Sequence, residues 1–109
     1  MSAGPDRRQV LAAGIAMLAT ARLARAETKT VTVTVKDFAF DPQEITVAAG
    51  DTIEWVNQDV VAHTATVKDG WEVMLDPGAT GTHVVEAGDT VDYYCRFHPN
   101  MTGKITVSG

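Results

Sequence analysis

From residue 27 onward, apolar and polar positions alternate with a period of two. Val31, Val33 and Val35 interleave with Thr30, Thr32 and Thr34, the signature of a strand with one face toward a core and the other toward water. Further short runs rich in Val, Ile and Thr occupy 44–48, 51–57, 62–68, 80–86, 90–96 and 103–108, with Gly, Pro, Asp and Asn between them. Strands at this spacing, without a helical period, predict an all-β fold built as a two-sheet β-sandwich. Pro42, Pro77 and Pro99 all fall between the predicted strands, where a missing N–H is harmless.

Before residue 27 the pattern is different. Arg7 and Arg8 precede an apolar stretch at 10–21 that has no polar face and is interrupted by Gly14, and Ala24, Arg25 and Ala26 supply a small-x-small cleavage pattern. This reads as a signal peptide over 1–26, with the domain at 27–109 and a mature start at Glu27. A 12-residue helix would rise about 18 Å, short of the roughly 30 Å hydrocarbon layer, so no membrane anchor is expected. The paired arginines followed by Val10 and Leu11 also resemble a twin-arginine export signal, although Val10 stands where that pattern usually has Phe.

The segment 47–55 (VAAGDTIEW) recurs as 85–93 (VEAGDTVDY), with five of nine positions identical. Two equivalent corners are predicted, each turning on Ala-Gly-Asp and returning an aromatic to the core.

Removing 1–26 takes four Arg and one Asp from 9 Lys+Arg and 14 Asp+Glu, leaving 5 against 13 and a net charge of −8. Such an acidic domain is not expected to bind nucleic acid or anionic lipid, and it favours a basic protein partner met by long-range attraction. There is one cysteine, so no internal disulfide exists in a chain read as entering an oxidising compartment.

That cysteine opens the most informative segment, Cys95-x-x-His98-x-x-Met101. Thiolate, imidazole and thioether together suit copper, which cycles between a state favouring nitrogen and one favouring sulfur. From this chain's composition, His and Met at these two offsets are a coincidence of roughly one in a thousand. Alone, each residue has a blander reading: Met101 as core filler, His98 as a surface histidine, Cys95 as a small buried apolar group. A second histidine is needed for a trigonal His₂Cys plane. His63, at the end of a loop and the start of a strand, is better placed than His83, which alternates with Val84 and is expected to face solvent.

The mature domain resembles the cupredoxins, the small blue copper proteins, and within them the amicyanin and plastocyanin group. The resemblance is carried by Phe40-Asp41-Pro42, Ile45-Thr46-Val47, Gly50-Asp51-Thr52-Ile53, Trp55, Asn57, His63, Asp76-Pro77-Gly78 and the 95–101 segment. It implies a Greek-key β-sandwich holding one copper ion, cycling Cu(I)/Cu(II), by His63, Cys95 and His98 with Met101 as a weak axial ligand. It also implies a monomeric, periplasmic one-electron carrier rather than an enzyme, with a redox protein such as a basic cytochrome or periplasmic oxidoreductase as partner. The electron window would be the edge of His98, ringed by Val61, Pro77, Phe97 and Pro99. Two departures stand out: Thr64 replaces the Asn usual after the first histidine, and Arg96-Phe97 follow the cysteine.

The main alternative is a protein that carries or buffers copper, since the same ligands hold Cu(I). Only Met74 lies outside 1–26 and the 95–101 segment among mature methionines, which gives little of the Met-rich surface expected of such a carrier. A metal-free interaction sandwich is a third reading. A Cys95 nucleophile lacks a third orienting group and leaves Met101 without a role. Structural zinc would usually take Cys or His as its fourth ligand.

Overall fold

Alternation along the first strand survives folding: Val33 and Val35 are fully buried, while Thr30 and Thr32 remain exposed. The computed structural model describes residues 27–108, so the proposed signal segment and its arginine pair lie outside the described residues. The strands are β1 (Thr30–Lys36), β2 (Ala39–Asp41), β3 (Glu44–Ala48), β4 (Thr52–Asn57), β5 (His63–Thr66), β6 (Glu72–Leu75), β7 (Thr80–Val84), β8 (Val91–Cys95) and β9 (His98–Ser108). They form two sheets, ordered β2-β1-β4-β7 and β3-β9-β8-β5-β6. Because β1 pairs parallel with β4 and β3 parallel with β9, the chain crosses between sheets in the Greek-key manner of a β-sandwich.

Two strands were not legible in the sequence. β2 has three residues and β6 four, too short for alternation to stand out from loop sequence. All four residues of β5 are buried, and the hydroxyls of Thr64 and Thr66 are met by the Arg96 N–H and the Glu72 carboxylate.

The core is organised around Trp55 and Tyr93, both essentially without exposure. Their side chains meet through a 3.2 Å hydrogen bond from the indole Nε1–H to the phenolic oxygen. Burial pushes the Tyr93 phenol up to about 12, although the Trp55 donor opposes it. Phe40 packs edge-on to the same tyrosine at 4.7 Å. Truncating a buried aromatic such as Trp55 to Ala costs about 3–5 kcal/mol. Gly103 makes room for this arrangement, since a Cβ there would collide with the Tyr93 ring.

The repeated corners lie side by side. Asp51 accepts the N–H of Ala48 and Asp89 that of Glu86, each three residues back. Gly50 N–H donates to Val85 O at 2.8 Å, and Val85 N–H to Asp51 O at 2.7 Å. The likeness of the two segments is therefore a pair of matched turns joined at one end of the sandwich.

Candidate metal centre

At the opposite end, three strand termini converge. His63 is the first residue of β5, Cys95 the last of β8 and His98 the first of β9. β8 and β9 pair as Tyr94 with Thr102 and then as Cys95 with His98, so residues 99–101 form an outsized bulge on β9. Sequence reasoning expected a loop from 97 to 102, between strands at 90–96 and 103–108. The structure replaces it with a two-residue turn and this bulge, which performs the same convergence because unpaired residues are freed from the strict alternation of a strand.

Among the described residues, His63, Cys95 and His98 form the one group of three or more His, Cys or acidic side chains able to share a metal ion. His63 Nδ1 lies 3.2 Å from His98 Nδ1, and Cys95 Sγ lies 3.7 Å and 3.5 Å from those two nitrogens. A trigonal site with metal–nitrogen bonds of about 2.0 Å and metal–sulfur bonds of about 2.3 Å needs donor separations of roughly 3.5 to 3.8 Å. The observed triangle fits that requirement with the His–His edge slightly closed.

Tautomer chemistry agrees. The Nε2 of His63 lies 2.8 Å from an Asp59 carboxylate oxygen. An ionised carboxylate accepts only, so Nε2 carries the proton and Nδ1 presents its lone pair to Cys95 and His98. His63 and Cys95 are fully buried, whereas the His98 ring keeps partial access to solvent.

Asp59 does more than orient one ring. Its carboxylate accepts the N–H of Asp37 at 2.8 Å and of Phe38 at 3.0 Å. Those two residues are consecutive and left-handed, with φ of 54° and 59°, a conformation that costs non-glycine residues about 1–2 kcal/mol each. Two hydrogen bonds to a charged group offset a cost of that size. Burial pushes the Asp59 carboxyl up, but the Phe38 and Asp37 N–H donors and the His63 ring outweigh it and hold it below the usual carboxylate range. The turn so held places Phe38 edge-on to both rings, 5.2 Å from His63 and 4.7 Å from His98.

Asn57 anchors the other side. Its buried amide donates to the carbonyls of Val61, Leu75 and Asp76, and its oxygen accepts the Asp59 N–H. Sequence reasoning missed the parts played by Phe38 and Asp59. The only signal was the carboxylate four residues before His63, which becomes meaningful once the β1–β2 turn is known to approach it.

Met101 is 4% exposed and packs with the core. It shares a shallow cleft of about 350 Å³ with Phe38, His98, Pro99 and Asn100. Thr64 retains the tie between the two ligand-bearing segments: its N–H points to Cys95 Sγ at 3.4 Å, and its hydroxyl accepts the Arg96 N–H at 2.8 Å. Phe97, its ring 6.5 Å from that of the half-buried His98, and Pro99, which lines a cleft with His98, are exposed; Val60, Val61 and Pro77 are exposed as well.

His83 is placed differently from the expectation. It is Val84 that faces solvent, at 59% exposure. His83 turns toward Trp71 and stacks on it at 3.8 Å, with its Nε2 2.8 Å from Asp89. The indole of Trp71, contributed from outside the strand, covers an imidazole that alternation alone would leave in water.

A family model described as a cupredoxin-like domain matches residues 9–107. The chain is 34% identical over 85 residues to amicyanin of Paracoccus versutus, covering 71% of this chain and 64% of that protein. It is 31% identical over 82 residues to amicyanin-alpha of Methylorubrum extorquens, covering 69% of each. Thus it spans a little under two thirds of the Paracoccus relative's length. The crystal structure of amicyanin from Paracoccus versutus superposes with a TM-score of 0.67 at 27% identity, over 78% of this chain and 87% of that one.

Proposed function

The chain belongs to the cupredoxin-like family, and from that premise we propose that it is an exported, amicyanin-like blue copper protein that carries one electron at a time. The observation that carries this reading is the His63, Cys95 and His98 triangle. Its donor set of two imidazoles and one thiolate is the one expected of a blue copper centre. Met101 is the proposed fourth, weak ligand, supported by its burial beside the triangle and its place six residues after Cys95. Copper bound there supplies a one-electron couple.

The protein's own contribution is to hold the donors still. His63 is fixed by Asp59, Cys95 receives the Thr64 N–H, and His98 is held edge-on by Phe38. A site whose ligands are braced in the free protein has little to rearrange when its charge changes. His98 alone of the three reaches the surface, so its ring is the proposed exit. The exposed Phe97 and Pro99 beside it suit a small, transient redox encounter. With a mature charge of −8, a basic cytochrome or other basic periplasmic redox protein is the proposed partner, and the domain acts as a monomer. Export rests on the proposed signal peptide at 1–26.

The alternative of copper carriage is separated by one experiment. Reversible voltammetry with rapid electron self-exchange is expected. A redox-inert centre that passes its copper to an apo acceptor would establish the alternative instead.

A further inference from the structure

Beside the metal centre, a closed hydrogen-bonded ring joins β5, β6 and the turn after β8. Arg96 N–H meets Thr64 Oγ1 at 2.8 Å, Thr64 Oγ1 meets Thr66 Oγ1 at 2.8 Å, and Thr66 Oγ1 meets Glu72 Oε1 at 2.8 Å. The ring closes where the guanidinium of Arg96 grips the same carboxylate in bidentate fashion, Nε to Oε1 at 2.8 Å and Nη2 to Oε2 at 3.0 Å.

Proton counting gives the ring a single direction. An ionised carboxylate only accepts, so the Thr66 hydroxyl donates to Glu72. Thr66 oxygen then accepts from the Thr64 hydroxyl, and Thr64 oxygen is left to accept from the Arg96 backbone. Each hydroxyl donates once and accepts once along the chain. Both threonines are buried, while Glu72 and Arg96 sit at the rim. An exposed ion pair alone contributes little, but here the pair fixes the far end of a buried relay.

The near end of that relay touches the thiolate. Thr64 donates its backbone N–H to Cys95 Sγ at 3.4 Å, and Arg96 is the residue that follows Cys95. Resting on the blue-copper reading, we propose that Thr66 and Glu72 are positioning residues that set the hydrogen bonding around the Cys95 sulfur and thereby the reduction potential. Neither touches the metal ligands; they act through Thr64 and Arg96. A hydrogen bond to the sulfur draws electron density from it and favours the reduced site, and such contacts are a principal tuner of this kind of centre. When the Thr66 hydroxyl is lost, the buried Thr64 hydroxyl has no acceptor, its rotamer loosens, and the Thr64 N–H contact to sulfur relaxes.

The test compares Thr66→Val, which keeps the shape and removes the hydroxyl, with Thr66→Ser, which keeps the hydroxyl. The full mature chain is loaded with Cu(II) and studied by visible spectroscopy, voltammetry and competitive copper titration. Thr66→Val is expected to lower the potential, move the thiolate-to-copper band and weaken copper binding roughly tenfold, at the low end for residues behind the ligands. Thr66→Ser is expected to match the unsubstituted protein. An unchanged potential in Thr66→Val, or an equal shift in Thr66→Ser, overturns the proposal. Should Thr66→Val not fold, amide exchange of the unsubstituted copper-free chain decides: the Arg96 N–H is expected to be protected, and exchange at open-loop rates overturns the relay. Absence of the band in the unsubstituted protein would instead defeat the copper reading itself.

Discussion

The His63 end and the His83 end of this domain each hold a histidine 2.8 Å from an aspartate oxygen, yet they have different capacities. At one end the free Nδ1 faces the Cys95 sulfur and a second imidazole across 3.7 Å and 3.2 Å. At the other, the ring lies flat against Trp71 and the aspartate also receives the Glu86 N–H and the Trp71 indole. A His–Asp pair is thus no mark of a metal site. What distinguishes the first is the company of the other ring nitrogen, with the carboxylate serving to fix the tautomer. In the second, the same pair fastens a turn to an aromatic stack.

The largest expected effect breaks that comparison outright. His63→Gly should abolish the thiolate-to-copper absorption and weaken Cu(II) binding by more than about a hundredfold, because it removes a ligand outright rather than a residue behind one. His83→Gln should leave both unchanged, as read by spectrum and copper titration. A copper site that survives loss of His63 but not of His83 would reverse the assignment.

Next in size are the aspartates. Asp59→Asn leaves an acceptor of reduced strength beside His63 and the strained turn at Asp37 and Phe38, and should weaken copper binding by about 10- to 100-fold. Asp89→Asn should leave copper binding as it is and instead lower the melting temperature of the copper-free protein. Equal effects of the two substitutions on copper affinity would show that the aspartates differ less than their surroundings suggest.

Acid should act on the turn end through linkage. Backbone N–H donors from Ala48 and Lys29 hold the Asp51 carboxyl below the usual value of 3.8. For Asp89, burial pushes upward but is outweighed by the Glu86 N–H, His83 and Trp71, and its carboxyl also lies below 3.8. Since the folded values lie below the unfolded ones, the stability is present above about pH 4 and is lost as pH falls through the folded values. The melting temperature of the copper-free protein should be nearly flat from pH 7 to about 5 and then decline, with a shallower decline in Asp51→Asn. An equally steep decline in that variant would remove Asp51 from the account.

The smallest expected effect concerns long-range charge. With −8 over residues 27–109, electron transfer to a basic partner should slow as ionic strength rises and the Debye length shrinks below about 10 Å. A flat salt response in stopped-flow measurements would rule out steering.

The two ends also differ in how much of them the sequence discloses. At the turn end the corners were legible: the repeat at 47–55 and 85–93 announced matched turns that return Trp55 and Tyr93 to the core, while the hydrogen bond between the two aromatics emerges only in three dimensions. Repeats and alternation are local patterns, so they survive in one dimension. At the metal end, the convergence of Cys95 and His98 was legible because four residues hold them, and that of His63 because it begins a strand; Met101 as a fourth ligand is a proposal from its place in the same segment. Phe38, Asp59 and the Thr66–Glu72 relay were not legible, since each acquires its role only when non-adjacent strands close against one another. His83 was misplaced for the same reason: period two correctly put it opposite Val84, but which face was covered depended on Trp71 from the turn before β6.

The most direct test of the central claim is the visible spectrum of the domain at residues 27–109 on addition of Cu(II), taken beside Cys95→Ala. One equivalent of copper and an intense thiolate-to-copper band are expected in the unsubstituted protein, with the band absent from the variant. A protein that binds no copper, or a band that persists without the Cys95 sulfur, would contradict it.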